Sequence, residues 1–82
     1  MRRISRRTAR RTSRRIMRAN QVVAANKEGT AVKMSPDDAK KVEAAGGKPV
    51  EQMTNAEMDA ACSKTGVQLQ ECDEEDMKAL ES

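Results

Sequence analysis

The sequence contains no phenylalanine, tyrosine, tryptophan or histidine. Each absence closes a route. Histidine is the usual general base and the commonest metal ligand, so Ser-His-Asp chemistry, Cys-His chemistry and histidine-based metal sites are excluded. Without aromatic rings there is no platform on which bases can stack, which argues against the RNA and single-strand modules that use one. Large apolar side chains are also scarce: Ile4, Ile16, Leu69, Leu80, six Met and six Val among 82 residues. Such a chain supports at most one small domain with a modest core, and partner-assisted ordering is expected. No stretch approaches transmembrane length.

Other sites fall to the same scarcity. Cys62 and Cys72 are the only thiols, too few for a zinc site that needs four ligands. They read as small apolar residues near helix ends, with a disulfide as the open alternative. The acidic end (Glu71, Asp73 to Asp76, Glu81) lacks the alternating ligands and central glycine of a calcium loop. It reads as helix-start electrostatics and a solvated face. No catalytic carboxylate pair and no glycine-rich phosphate loop can be named. The chain is therefore expected to be no enzyme and to need no cofactor or metal.

What is present is charge, sharply segregated. All nine arginines lie in residues 1–18: Arg2, Arg3, Arg6, Arg7, Arg10, Arg11, Arg14, Arg15 and Arg18. No acid precedes Glu28, so residues 1–20 carry +9 while the remainder carries −6, for a net +3. Arginine's planar, permanently charged fork matches two phosphate oxygens, so an arginine-only segment suits phosphate recognition. The doublets repeat every four residues, as RRIS, RRTA, RRTS and RRIM. On a helix each doublet sits about 40° further round than the last; in an extended chain adjacent arginines point to opposite faces. Self-repulsion on this scale calls for an anionic receiver. That receiver is expected to be nucleic acid, bound through its backbone without sequence preference. The acidic body is a further candidate, screening the arm or contacting that of a neighbouring copy. Arg2-Arg3-Ile4-Ser5 and Arg10-Arg11-Thr12-Ser13 also have the form of substrates for basophilic protein kinases.

Beyond the arm, Ile16, Ala19, Val23 and Asn26 share one helical face, with Gly29 as a stop. The competing reading pairs Val22–Ala25 with Thr30–Met34 as a hairpin across Asn26-Lys27-Glu28-Gly29. The alanine pair and the missing strand alternation favour the helix. Ser35-Pro36-Asp37-Asp38 signals a helix start and Gly46-Gly47 its end. Thr54 and Glu57 form a capping box, with Met53 stapled to Met58 and Gly66 just past the end. A last helix starts at Asp73, stapled by Cys72 and Met77.

The arm resembles the small arginine-rich genome-packaging proteins of icosahedral single-stranded-DNA phages, through the doublets of residues 1–18. That resemblance implies packaged nucleic acid as ligand and the inside of a capsid as attachment point.

The expected architecture is therefore mainly α. It comprises a nucleic-acid-binding arm (1–20), a connector (21–34) and a small acidic helical region (35–82) ending in a helical hairpin (54–82). All nine arginines are expected on phosphates. Val42, Met53, Met58, Val67, Leu69, Met77 and Leu80 are expected to dock on a protein partner, such as a capsid. The expected location is a virion interior or a cytoplasmic nucleoprotein complex. The alternative is an imported interaction module whose arginine-rich start is a targeting leader.

Overall fold

Residues 7–8 and 14–18 of the expected arm, together with most of the connector, fold as a β-sheet. The structure is a computed structural model and describes residues 6–82. Its elements run β1 (Arg7–Thr8), β2 (Arg14–Arg18), β3 (Gln21–Ala25), β4 (Thr30–Met34), α1 (Pro36–Gly46), a short 3-10 turn at Val50–Gln52, α2 (Asn55–Thr65) and α3 (Glu74–Glu81). The strands form one antiparallel sheet in the order β1-β4-β3-β2. The fold is thus α+β, and the mainly α expectation is corrected. Strands from residues 1–20 and 21–34 pair in this one sheet, and helices from residues 35–82 pack on its two faces.

The β2–β3 hairpin closes through Ala19 and Asn20, both with positive φ (51° and 61°). That pair matches the strand twist as a two-residue primed turn, and asparagine tolerates it well. The β3–β4 turn is the hairpin set aside in favour of a helix. Buried Asn26 organises it: its Oδ1 accepts from the Glu28 and Thr30 amides at 3.0 and 2.9 Å. Its Nδ2 donates to Asn55 Oδ1 at 2.7 Å, tying the turn to α2. Its carbonyl accepts from the Ser13 amide at 3.1 Å, tying the turn to the loop before β2. Gly29 (φ 83°) completes the turn, and its carbonyl accepts from the Ala9 amide at 2.7 Å.

The sheet buries both faces. On one, Val22, Ala24, Val32 and Met34 pack with Ala39 and Val42 of α1, Val50, Met53, and Met58 and Ala61 of α2. On the other, Ala9, Val23, Ala25 and Ala31 pack with Cys72 and with Met77 and Leu80 of α3. Small strand residues let the helices approach closely. This explains how a chain without aromatic residues fills two apolar layers.

The helix ends follow the sequence reading. Ser35 accepts from the Asp38 amide, Pro36 opens α1, and left-handed Gly47 closes it. The Thr54–Glu57 capping box is complete, and Gly66 ends α2. Asp73 and Asp76 form a second capping box at α3.

A Cβ at Gly29 would lie 3.2 Å from the Ala9 carbonyl oxygen in a left-handed conformation. Gly29→Ala is therefore expected to destabilise the protein by roughly 1–2 kcal/mol in urea unfolding. Gly66→Ala, where the added methyl meets open space, should cost less.

Candidate nucleic-acid interface

The extended backbone splits the arginine doublets between the two helical layers. Arg6 turns to α2 and pairs with Asp59. Arg7, its neighbour, stands opposite Ala31 on the α3 side of the sheet. In β2, Arg15 turns to the α1 side, where it pairs with Glu43 and, at 3.4 Å, with Glu51. Glu43 also accepts from the Val50 amide at 2.9 Å, so this ion pair braces the link between α1 and the 3-10 turn. Arg14 and Arg18 alternate with Arg15 and share the α3 side with Ile16.

The strongest electrostatic knot lies at the start of α3. Asp76 is 1% exposed. It receives Arg18 from β2 and Lys33 Nζ from β4, the latter at 2.9 Å, and accepts from the Asp73 amide at 3.0 Å. Arg18 also reaches Asp73 at 3.3 Å. Burial alone would raise the Asp76 carboxyl. The Asp73 amide, Lys33 and Arg18 together overcome it and hold the group at about 2, against an ordinary 3.8. The acidic end thus serves as cap and counter-ion, and the cations on Asp76 come from β2 and β4.

The remaining arginines are differently placed. Among the described residues, Arg7, Arg11 and Arg14 have no carboxylate at ion-pair distance. Arg10 has a 93% exposed side chain and only a long contact, 3.7 Å, to Glu81. Residues 10–13 form an exposed run between β1 and β2. Beside this run lies a hollow of about 330 Å³ lined by Ser13, Lys27, Lys48 and Gln52. Lys48 donates to Glu57 at 2.7 Å, and this contact with the Thr54 amide holds Glu57 at about 2. Arg2 and Arg3, also expected on phosphates, lie outside the described residues.

The side chains expected to dock on a partner are occupied within the chain. Val42, Met53, Met58, Leu69, Met77 and Leu80 are buried in the two apolar clusters, and Val67 packs against the first. The sheet covers the ridges that a purely helical body would have left bare. Among the described residues, Met17 on edge strand β2 is the one exposed large apolar side chain. Cys62 and Cys72 are free and pack on opposite faces of the sheet, the first against the α1–α2 layer and the second beneath α3. Burial, with Asp76 nearby, pushes the Cys72 thiol up to about 11, so it acts as a small apolar group.

Two contributions escaped the sequence reading: Asn26 as the hub of a turn, and Lys33 as a partner of Asp76. The Asn-Lys-Glu-Gly turn signal pointed to the first, whereas no local pattern marks the second. No family model, curated protein or solved structure matches the chain. No helix among the described residues is long and apolar enough to cross a membrane.

Replacing Asp76 by Asn should cost about 2–3 kcal/mol, since charge-assisted bonds to two strands are lost together. Because the folded-state value lies below the ordinary one, this contribution is full above about pH 4 and fades as pH falls from 3.8 towards 2. Acid titration of unfolding free energy should show that loss in the native chain and lack it in Asp76→Asn.

Proposed function

We propose that the chain binds the phosphate backbone of nucleic acid through a subset of its arginines, while the others hold the fold. The carrying observation is the division within the acid-free segment. Arg6, Arg15 and Arg18 are pinned by carboxylates, whereas among the described residues Arg7, Arg11 and Arg14 have none at ion-pair distance and Arg10 is almost fully exposed. Unpaired guanidinium groups on a firm scaffold suit bidentate contact with phosphates. The absence of aromatic residues fits recognition of the backbone in place of the bases.

Arg2 and Arg3 extend the same chemistry by sequence. The arginine-only character of the segment favours the narrower form of the proposal, a virion protein touching packaged genome. The leader alternative fits less well, because removing residues 1–18 would take away β1 and β2, with Ala9 and Ile16 of the α3-side cluster and the Arg18 partner of Asp76.

Four to six phosphate contacts would give a slope of about −3.5 to −5.5 for log K against log salt on duplex DNA. Fluorescence anisotropy should show that slope and equal affinity for scrambled sequences. The Arg14–Arg15 doublet provides the sharper comparison, because both changes remove one positive charge. Arg14→Gln should lower the slope by about 1 and leave stability unchanged. Arg15→Gln should keep binding but cost about 1 kcal/mol of stability through Glu43. Unchanged affinity after joint replacement of Arg10, Arg11 and Arg14 would refute the proposal.

A further inference from the structure

The arginine repeat has a second consequence that phosphate binding does not use. Kinases that read a basic doublet place the acceptor hydroxyl two residues after it. Applied to the four doublets, that spacing selects Ser5, Ala9, Ser13 and Met17. Ala9 and Met17 carry no hydroxyl, Ala9 is buried, and Ser5 lies outside the described residues. Ser13 alone among the described residues meets the pattern. It is also the one the fold presents: Arg10, Arg11, Thr12 and Ser13 form a continuous exposed run between strands. The Ser13 amide, bonded to Asn26, anchors the end of the run.

We propose that Ser13 is a phosphorylation site for an arginine-directed protein kinase using ATP, and that the attached phosphate is received by Lys27 and Lys48. In the transfer, Ser13 Oγ attacks the γ-phosphorus. The bond from that phosphorus to the β,γ-bridging oxygen breaks, ADP departs with its electron pair, and the hydroxyl proton passes to the kinase's base. The product carries a charge of about −1.5 to −2 at neutral pH. It forms at the rim of a hollow whose other lining residues are Lys27, Lys48 and Gln52. Lys27 has no carboxylate partner at ion-pair distance among the described residues, and Lys48 is shared with Glu57. Because the phosphate is tethered to the wall of the hollow, capture needs no affinity for a free anion. Modification would also set a negative charge beside Arg11 and Arg14. Its effect on polynucleotide binding rests on the proposed function, whereas the modification and its capture do not.

The test incubates the full chain, and its Ser5→Ala variant, with ATP and a purified basophilic kinase, followed by site-localising mass spectrometry. Both proteins should carry phosphate on Ser13, with the initial rate falling at least about tenfold when Arg10 and Arg11 are replaced by Ala. Capture is then read by phosphorus NMR titration of the phosphorylated chain. The second ionisation of a free phosphoserine lies near 6; here it should be lower by at least about half a unit than in the Lys27→Gln, Lys48→Gln protein. Phosphate only on Thr8, Thr12 or Ser5, or no phosphate at all, would overturn the site. Equal ionisation in the two proteins would overturn the capture.

Discussion

Asp76 is a carboxylate taken almost wholly out of water, and it can sit there only because β2 and β4 each deliver a cation to it. A buried charge without such partners would be strongly destabilising. The requirement reaches far along the chain. Arg18 must lie in an extended strand on the α3 side, which sets the register of β2. Lys33 must share that side, which fixes the pleat of β4. The Asp73–Asp76 capping box makes the same carboxylate start α3. One buried anion therefore couples the acid-free beginning of the chain to its acidic end.

The same logic extends over both layers. A segment carrying nine arginines would repel itself as a free peptide, and within residues 6–18 the extended backbone lets acids from each side reach Arg6, Arg15 and Arg18. The period of four is well suited to this, because each doublet in an extended chain offers one guanidinium to either face. Arg15 goes to Glu43 above the sheet and Arg18 to Asp76 below it. Among the described residues, Arg7, Arg11 and Arg14 have no carboxylate at ion-pair distance and Arg10 has only its 3.7 Å contact to Glu81, and the hollow at Ser13 adjoins the exposed residues 10–13. Charge segregation along the sequence thus becomes a division of roles in space, with Arg6, Arg15 and Arg18 held by carboxylates of the scaffold and Arg10 and Arg11 carried outward on the exposed run of residues 10–13.

The helices were legible because their signals are local. Ser35, Thr54 and Asp73 cap, and Gly47 and Gly66 terminate, through groups within four residues of the helix end. The sheet was obscured for a physical reason. Val22-Val23-Ala24-Ala25 is covered by helices on both faces, so it shows no alternation and reads as helix as readily as strand. In β2 the residues facing the core side are Arg14, Ile16 and Arg18, two of them charged, so apolar periodicity is lost there as well. The Asn26–Gly29 hairpin was visible as an alternative, but its deciding contact, to Asn55, is 29 residues away. For the candidate interface, the arginines could be named from the sequence. Which of them meet acids could not, because that depends on a sheet the local pattern does not reveal. Once the sheet is missing, Met58, Leu80 and the other core residues look like a docking surface.

The central claim is that residues 6–18 belong to the fold and are not a free basic tail. Native-state amide hydrogen exchange tests it residue by residue. The Ala9 and Ser13 amides donate to the Gly29 and Asn26 carbonyls at 2.7 and 3.1 Å, and β2 is paired along its length with β3. In low salt without nucleic acid, Ala9, Ser13 and the β3-facing amides of β2 should be protected to the same order as the β3–β4 ladder. Exchange of those amides at unfolded-chain rates, while α1 and α2 stay protected, would contradict the account.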